Sequence, residues 1–161
     1  MRRLTLPALL LLVAAPLAAK DSLGIFSDWG AFREPSVPQC YAIAEAEESP
    51  FSREFDPYAT IATWPARRIR GQVHFRLSRP MRQNSRVSLR IGRQTFTLTG
   101  GSADAWARDA AMDAAIVAAM RSADAMTVRG TDTRGRRFSD RYSLAGAATA
   151  MDAATLACPR R

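Results

Sequence analysis

The residues with the most chemical potential in this chain are basic, and they recur with a period. Arg68, Arg70, His74 and Arg76 share one parity along their stretch, while Val73, Phe75 and Leu77 hold the other. A little further on, Arg86 and Arg90 alternate with Val87 and Leu89 in the same way. Successive side chains of an extended strand point to opposite faces, so both stretches are predicted to bury their aliphatics and carry their cations outward. If the two strands pair, guanidinium groups cover one sheet face. Like charges side by side across a strand pair are unfavourable, so such a face gains by meeting anions. The guanidinium fork fits phosphate and carboxylate bidentately. The expected ligand of this candidate site (Arg68, Arg70, His74, Arg76, Arg86, Arg90) is an anionic polymer such as lipopolysaccharide. The plain alternative is a solvated face in an arginine-rich chain whose single lysine is Lys20. Nucleic acid is the poorer fit, because no aromatics interleave these arginines for base stacking.

His74 is the one histidine. Catalysis by it needs an orienting carboxylate and a nucleophile within hydrogen-bond reach, and its sequence neighbours supply neither. It therefore reads as a surface histidine. No G-x-S-x-G, S-x-x-K or H-E-x-x-H pattern is present, and Gly100-Gly101 is a loop rather than a phosphate cradle. Glu45 and Glu47 would share a strand face, but carboxylates at that spacing are far more often solvated than a glycosidase pair. The expectation is no enzyme, no catalytic residue, no cofactor and no metal; an envelope hydrolase built around His74 is the remoter alternative.

The elements that must position the basic residues read mostly as strands. Residues 26–32, 40–46, 58–64, 71–77, 86–91 and 95–98 have strand character, several with clean alternation. A helix follows, with Ser102 or Asp104 expected to cap its start and Met112, Ile116, Ala119 and Met120 forming a narrow apolar stripe. Met126 and Val128 open a further strand, Asp132-Thr133-Arg134-Gly135 turns the chain, and residues 138–144 return as the hairpin partner. An alanine-rich helix over 147–157 closes the chain. The fold class is α+β, a mostly antiparallel sheet or sandwich with one longer helix and a short C-terminal helix.

The start of the chain sets the compartment. Arg2 and Arg3 form a positive n-region, residues 4–13 an apolar run, and Ala14-Ala15-Pro16-Leu17-Ala18-Ala19 a small-residue boundary. This is a cleavable secretory leader over 1–19, too short in its apolar run for the roughly 20 residues of a membrane span. Residues 20–161 then form one domain, periplasmic or secreted, with no transmembrane span. Two of the net +8 charges belong to the leader arginines, and a basic total says little about partners until the charges are shown to cluster. In an oxidising compartment Cys40 and Cys158 are expected to form a disulfide. Two unpaired buried thiols are the alternative, and a metal site lacks any C-x-x-C or histidine pair.

Several short segments carry a family resemblance. Phe26-Ser27-Asp28-Trp29, followed by Cys40, and later Ala119-Met120-Arg121-Ser122-Ala123, Met126-Thr127-Val128 and Ser143-Leu144-Ala145-Gly146 before the last helix occur in that order. In these the chain resembles a divergent member of the invasion-associated locus B family of exported bacterial proteins. Family members usually carry more cysteines in the middle, whereas none lies here between Cys40 and Cys158. The resemblance implies a periplasmic or surface-associated, non-enzymatic interaction protein with an unidentified envelope partner. An anionic-ligand module using the arginine face is the alternative function.

Overall fold

A computed structural model describes residues 20–82 and 85–158; the leader expected over 1–19 lies outside the described residues. Ten strands run in the order β1 (Asp21–Phe26), β2 (Trp29–Glu34), β3 (Gln39–Glu45), β4 (Tyr58–Trp64), β5 (Ile69–Arg76), β6 (Val87–Ile91), β7 (Gln94–Gly101), β8 (Asp104–Trp106), β9 (Ala125–Thr131) and β10 (Arg137–Ser143). Helix α1 (Ala110–Met120) separates β8 from β9, and α2 (Ala147–Ala157) follows β10. All ten strands belong to one sheet, ordered β1-β2-β3-β4-β5-β8-β7-β6-β9-β10, with every pairing antiparallel. The class is α+β, mostly sheet, as the alternation predicts.

Period-two patterning explains which side is wet. Ala42 and Ala44 on β3, Val73 and Phe75 on β5, Val87, Leu89 and Ile91 on β6, and Met126 and Val128 on β9 are all buried, and their alternate neighbours are not. These buried residues join a single core that reaches from Trp29 and Ala31 on β2 to Tyr142 on β10. The sheet curls around that core, which brings β2 and the chain just after β3 against β10. The indole Nε1 of Trp29 donates to the Ser143 carbonyl at 2.9 Å, and the Glu47 N–H donates to the Arg141 carbonyl at 2.8 Å.

Two of the segments that carry the family resemblance, Phe26–Trp29 and Ser143–Gly146, bind each other. Besides the Trp29–Ser143 bond, the Asp28 N–H donates to the Ala145 carbonyl at 3.3 Å, and Gly146 packs against the carbonyl of Phe26. Ser143 Oγ accepts from the Ala145 N–H at 3.2 Å, holding the turn that delivers Gly146. The disulfide fastens the far end of the same assembly. Cys40, buried on the inner face of β3, is bonded to Cys158 just after α2, with Cα atoms 5.8 Å apart. Helix α2 therefore lies over the inner side of β1–β3 with Ala147, Ala150, Met151 and Ala154 turned in.

Two boundaries differ from the sequence expectation. Residues 26–32 are not one strand but the corner of the β1–β2 hairpin, because Ser27 takes a left-handed turn conformation (φ +51°) and Asp28 is spent on Ala145. The helix does not start after Ser102 or Asp104. Asp104-Ala105-Trp106 is the short strand β8, which pairs with Phe75 and its neighbours on one side and with Thr99–Gly101 on the other. Ser102 (φ +53°) makes the turn before it. The cap is Asp109, whose Oδ1 accepts from the Met112 N–H at 2.8 Å, and that bond with the Arg108 guanidinium holds its carboxyl below the usual range.

Candidate functional site

The basic residues singled out by periodicity do not form one ladder. Strands β5 and β6 are not neighbours; β8 and β7 lie between them. On β5, His74 and Arg76 converge on one carboxylate: Asp104 Oδ1 lies 2.9 Å from His74 Nε2, and Asp104 Oδ2 accepts from Arg76 Nη1 at 2.8 Å. The other ring nitrogen of His74 faces Thr60 Oγ1 at 3.5 Å. Arg76 also stacks over the Phe55 ring, 4.4 Å from its centroid. The orienting carboxylate for His74 thus exists, but 30 positions away in a segment that reads as a helix cap. Arg68 is a left-handed residue (φ +55°) ending a 3-10 turn, and Arg70 is exposed beside Gly71 (φ +66°). A register shift between Ala62 and Trp64 interrupts the ladder there, so these two lie outside the regular alternation. Glu47 is ion-paired to Arg141 at 3.0 Å and stands as an exposed surface carboxylate, as does Glu45.

Arg86 and Arg90 belong to a different and larger cationic face. Across β6, β9 and β10 the register sets Ser88 beside Arg129 and Ser139, and Arg90 beside Thr127 and Arg141. One step the other way, Thr131 pairs with Arg137, and Arg86 occupies the corresponding position before Val87. The outcome is a checkerboard of five outward arginines (Arg86, Arg90, Arg129, Arg137, Arg141) with Ser88, Thr127, Thr131 and Ser139 in the alternate squares. No two arginines stand directly opposite, which avoids the worst like-charge placement while keeping all five on one face. All five are exposed. Among the described residues, Arg86, Arg90, Arg129 and Arg137 have no carboxylate within ion-pairing distance, and only Arg141 has one, Glu47.

This face opens at one end into a hollow of about 890 Å³ that also takes in Ser52, Arg53 and Asp140. Its rear wall is tied by Asp132, a buried carboxylate that accepts from Arg136 Nε at 2.8 Å, Arg79 Nη1 at 3.2 Å and the backbone N–H groups of Arg134 and Arg136. Burial pushes this carboxyl upward, but the Arg136 backbone and side-chain bonds, with that of Arg134, outweigh it and hold it below the ordinary range. Asp140 is the opposite case. It accepts from the Ser78 N–H at 2.9 Å through Oδ2, while its Oδ1 has no partner among the described residues. Burial, against weaker relief from Ser78, Arg53 and Arg79, pushes its carboxyl up.

That difference has a pH signature. A carboxyl whose folded value is raised costs stability once pH exceeds its unfolded value near 3.8, and the cost grows until pH passes the folded value. Asp140→Asn keeps an acceptor for Ser78 and removes the buried charge. At pH 7 it is expected to unfold at the same or higher urea concentration than wild type, by up to about 1 kcal/mol. The gap should close as pH falls well below the unfolded value of 3.8, where Asp140 is protonated folded and unfolded alike, and a variant markedly less stable at pH 7 would show that the charge is compensated.

Arg129, Arg137 and Arg141 carry in the sequence the same alternation as Arg86 and Arg90. Thr127, Arg129 and Thr131 alternate with Met126 and Val128, and Arg137, Ser139 and Arg141 alternate with Phe138, Asp140 and Tyr142. What alternation alone could not supply was that β6 takes β9 as its neighbour, across the 33 residues and one helix that separate them.

Taken together, fold and site define a disulfide-stapled antiparallel β protein with a hydroxyl-interleaved arginine face. The family model described as Invasion associated locus B (IalB) protein matches residues 60–155, more than half of the chain, and the protein belongs to that family. Neither the curated proteins nor the solved structures offer a match. Membership points to an envelope-associated protein, in a family not known for an enzymatic activity. The disulfide is compatible with export, and among the described residues no helix is long and apolar enough to cross a membrane.

Proposed function

We propose that this is a non-catalytic interaction protein of the bacterial envelope, exported after cleavage near Ala19, that binds anionic polymers on the β6–β9–β10 face. The observation that carries the reading is the checkerboard of Arg86, Arg90, Arg129, Arg137 and Arg141, four of them without a carboxylate partner among the described residues. Exposed guanidinium groups with hydroxyls between them offer repeated charge-assisted hydrogen bonds to phosphate or carboxylate at little desolvation cost. Arg86 and Arg90 remain in the proposed site. Arg76 and His74 are committed to Asp104, and Arg68 and Arg70 lie away from the face.

The test uses the mature protein beginning at Lys20, taken from a periplasmic fraction. Arg86→Ser, Arg129→Ser and Arg137→Ser are combined, and binding to lipopolysaccharide and to heparin is followed against salt. Exposed charges are screened within about 10 Å at 0.1 M salt, so wild-type affinity should fall as salt rises. The triple variant should lose at least about tenfold at low salt with its melting temperature within a few degrees of wild type. An Arg68→Ser, Arg70→Ser pair should bind as wild type. Unchanged binding by a folded triple variant would reject the assignment.

A further inference from the structure

The outer face does not end at the arginines. Following the register from Arg86 towards β5, the next residue in the same row is Thr99 on β7, then Trp106 on β8, His74 on β5 and Thr60 on β4. Directly opposed residues of an antiparallel sheet share a face, so Trp106 stands on the same side as the checkerboard. Neighbouring strands lie about 4.8 Å apart, which puts Trp106 about 10 Å from Arg86 and about 19 Å from Arg137 along the sheet surface.

Trp106 is unusual among the three tryptophans. Trp29 is fully buried in the core and Trp64 is half-buried beneath Arg67, whereas Trp106 is 37% exposed on a sheet surface. Its orientation is nevertheless fixed. The His74 ring lies beside it with centroids 5.2 Å apart, Asp104 holds His74, and Tyr58 meets the far side of His74 edge-on at 5.9 Å. A large ring held by its neighbours, with polar groups around it, loses little freedom when something flat or amphipathic settles on it. The ring belongs neither to the core nor to the apolar residues packed against it.

We infer that the ligand of this face is an acidic glycan, with one sugar ring stacked on Trp106 and the carboxylate or phosphate groups of the following sugars bound by Arg86, Arg129 and Arg137. The inference rests on the anion-binding reading above and narrows it. A bare polyanion would use the arginines and ignore Trp106. A sugar chain uses both, because the C–H face of a pyranose is apolar enough to lie on an indole while its hydroxyls bond to groups such as Thr99 and Thr131. The row runs across the strands, so the chain would cross the sheet rather than follow one strand.

The experiment compares wild type, Trp106→Ala and the Arg86/Arg129/Arg137→Ser variant against three probes of matched charge: hexameric oligogalacturonate, linear polyphosphate and oligo-dT. Wild type should bind the oligogalacturonate and the polyphosphate. Trp106→Ala should weaken the oligogalacturonate about tenfold and leave the polyphosphate within about twofold, a difference that a general loss of fold would not produce. Binding of oligogalacturonate, and not of polyphosphate, should also change the tryptophan fluorescence of wild type. Equal affinity of Trp106→Ala and wild type for the oligogalacturonate would overturn the inference and leave the arginine face standing. Tighter, Trp106-dependent binding of oligo-dT would replace the glycan with single-stranded nucleic acid. If wild type binds neither polyphosphate nor oligogalacturonate, the anion-binding reading fails and the glycan inference with it.

Discussion

Reducing the Cys40–Cys158 bond, or replacing both cysteines by alanine, is expected to lower the midpoint of thermal unfolding by about 10–15 °C. The bond joins positions 118 residues apart. Closing a loop of that length removes so much freedom from the unfolded chain that the entropy model gives about 5 kcal/mol, and native disulfides return 2–5 kcal/mol on removal. A domain of this size loses roughly 3–5 °C per kcal/mol. The folded state contributes as well, because both cysteines are buried and α2 is held over β1–β3 at its C-terminal end by this link and at its N-terminal end by Gly146. Melting followed by circular dichroism with and without reductant checks the size of the effect. Equal midpoints would mean that the packing of Met151 and Ala154 alone fixes α2.

The strands were legible in the sequence wherever one face of the sheet is buried, because alternation writes the inner face directly. The patterns over 58–64 and 147–157 coincide with β4 and α2 to the residue, and those over 71–77 and 86–91 differ from β5 and β6 by one or two positions. The failures share a cause. Strand β8 has three residues, Asp104–Trp106, and no pattern that short separates from a helix start. The candidate site was half legible for a related reason. Which residues face outward depends on parity within a strand, whereas which strands lie side by side depends on how the curled sheet closes. Arg86 and Arg90 were identified from the first kind of information. Their true neighbours, Arg129 and Arg141 rather than Arg70 and Arg76, required the second.

Gly146→Ala is expected to destabilise the protein by about 3–5 kcal/mol, among the largest effects of any single methyl group here. Two independent penalties combine. Gly146 has φ +84°, in the left-handed region where a Cβ is disfavoured by roughly 1–2 kcal/mol. An added Cβ would also overlap the carbonyl oxygen of Phe26 and sit 2.5 Å from its carbonyl carbon. Backbone cannot yield as the end of a side chain can, so either β1 or α2 must move. Movement there separates Asp28 from Ala145 and Trp29 from Ser143, the bonds that hold the first strands against the last. The segments Phe26-Ser27-Asp28-Trp29 and Ser143-Leu144-Ala145-Gly146 are thus a clasp between the two ends of the sheet, and the arginine face is built elsewhere. Gly101→Ala is the matched control, since an added Cβ there meets none of the described residues within 4 Å, and it should stay within about 0.5 kcal/mol of wild type. Urea denaturation of the two variants decides the matter. A Gly146→Ala protein as stable as Gly101→Ala would mean that the clasp has slack, and polyanion binding that falls with Gly146→Ala in the still-folded protein would show that the clasp also shapes the arginine face.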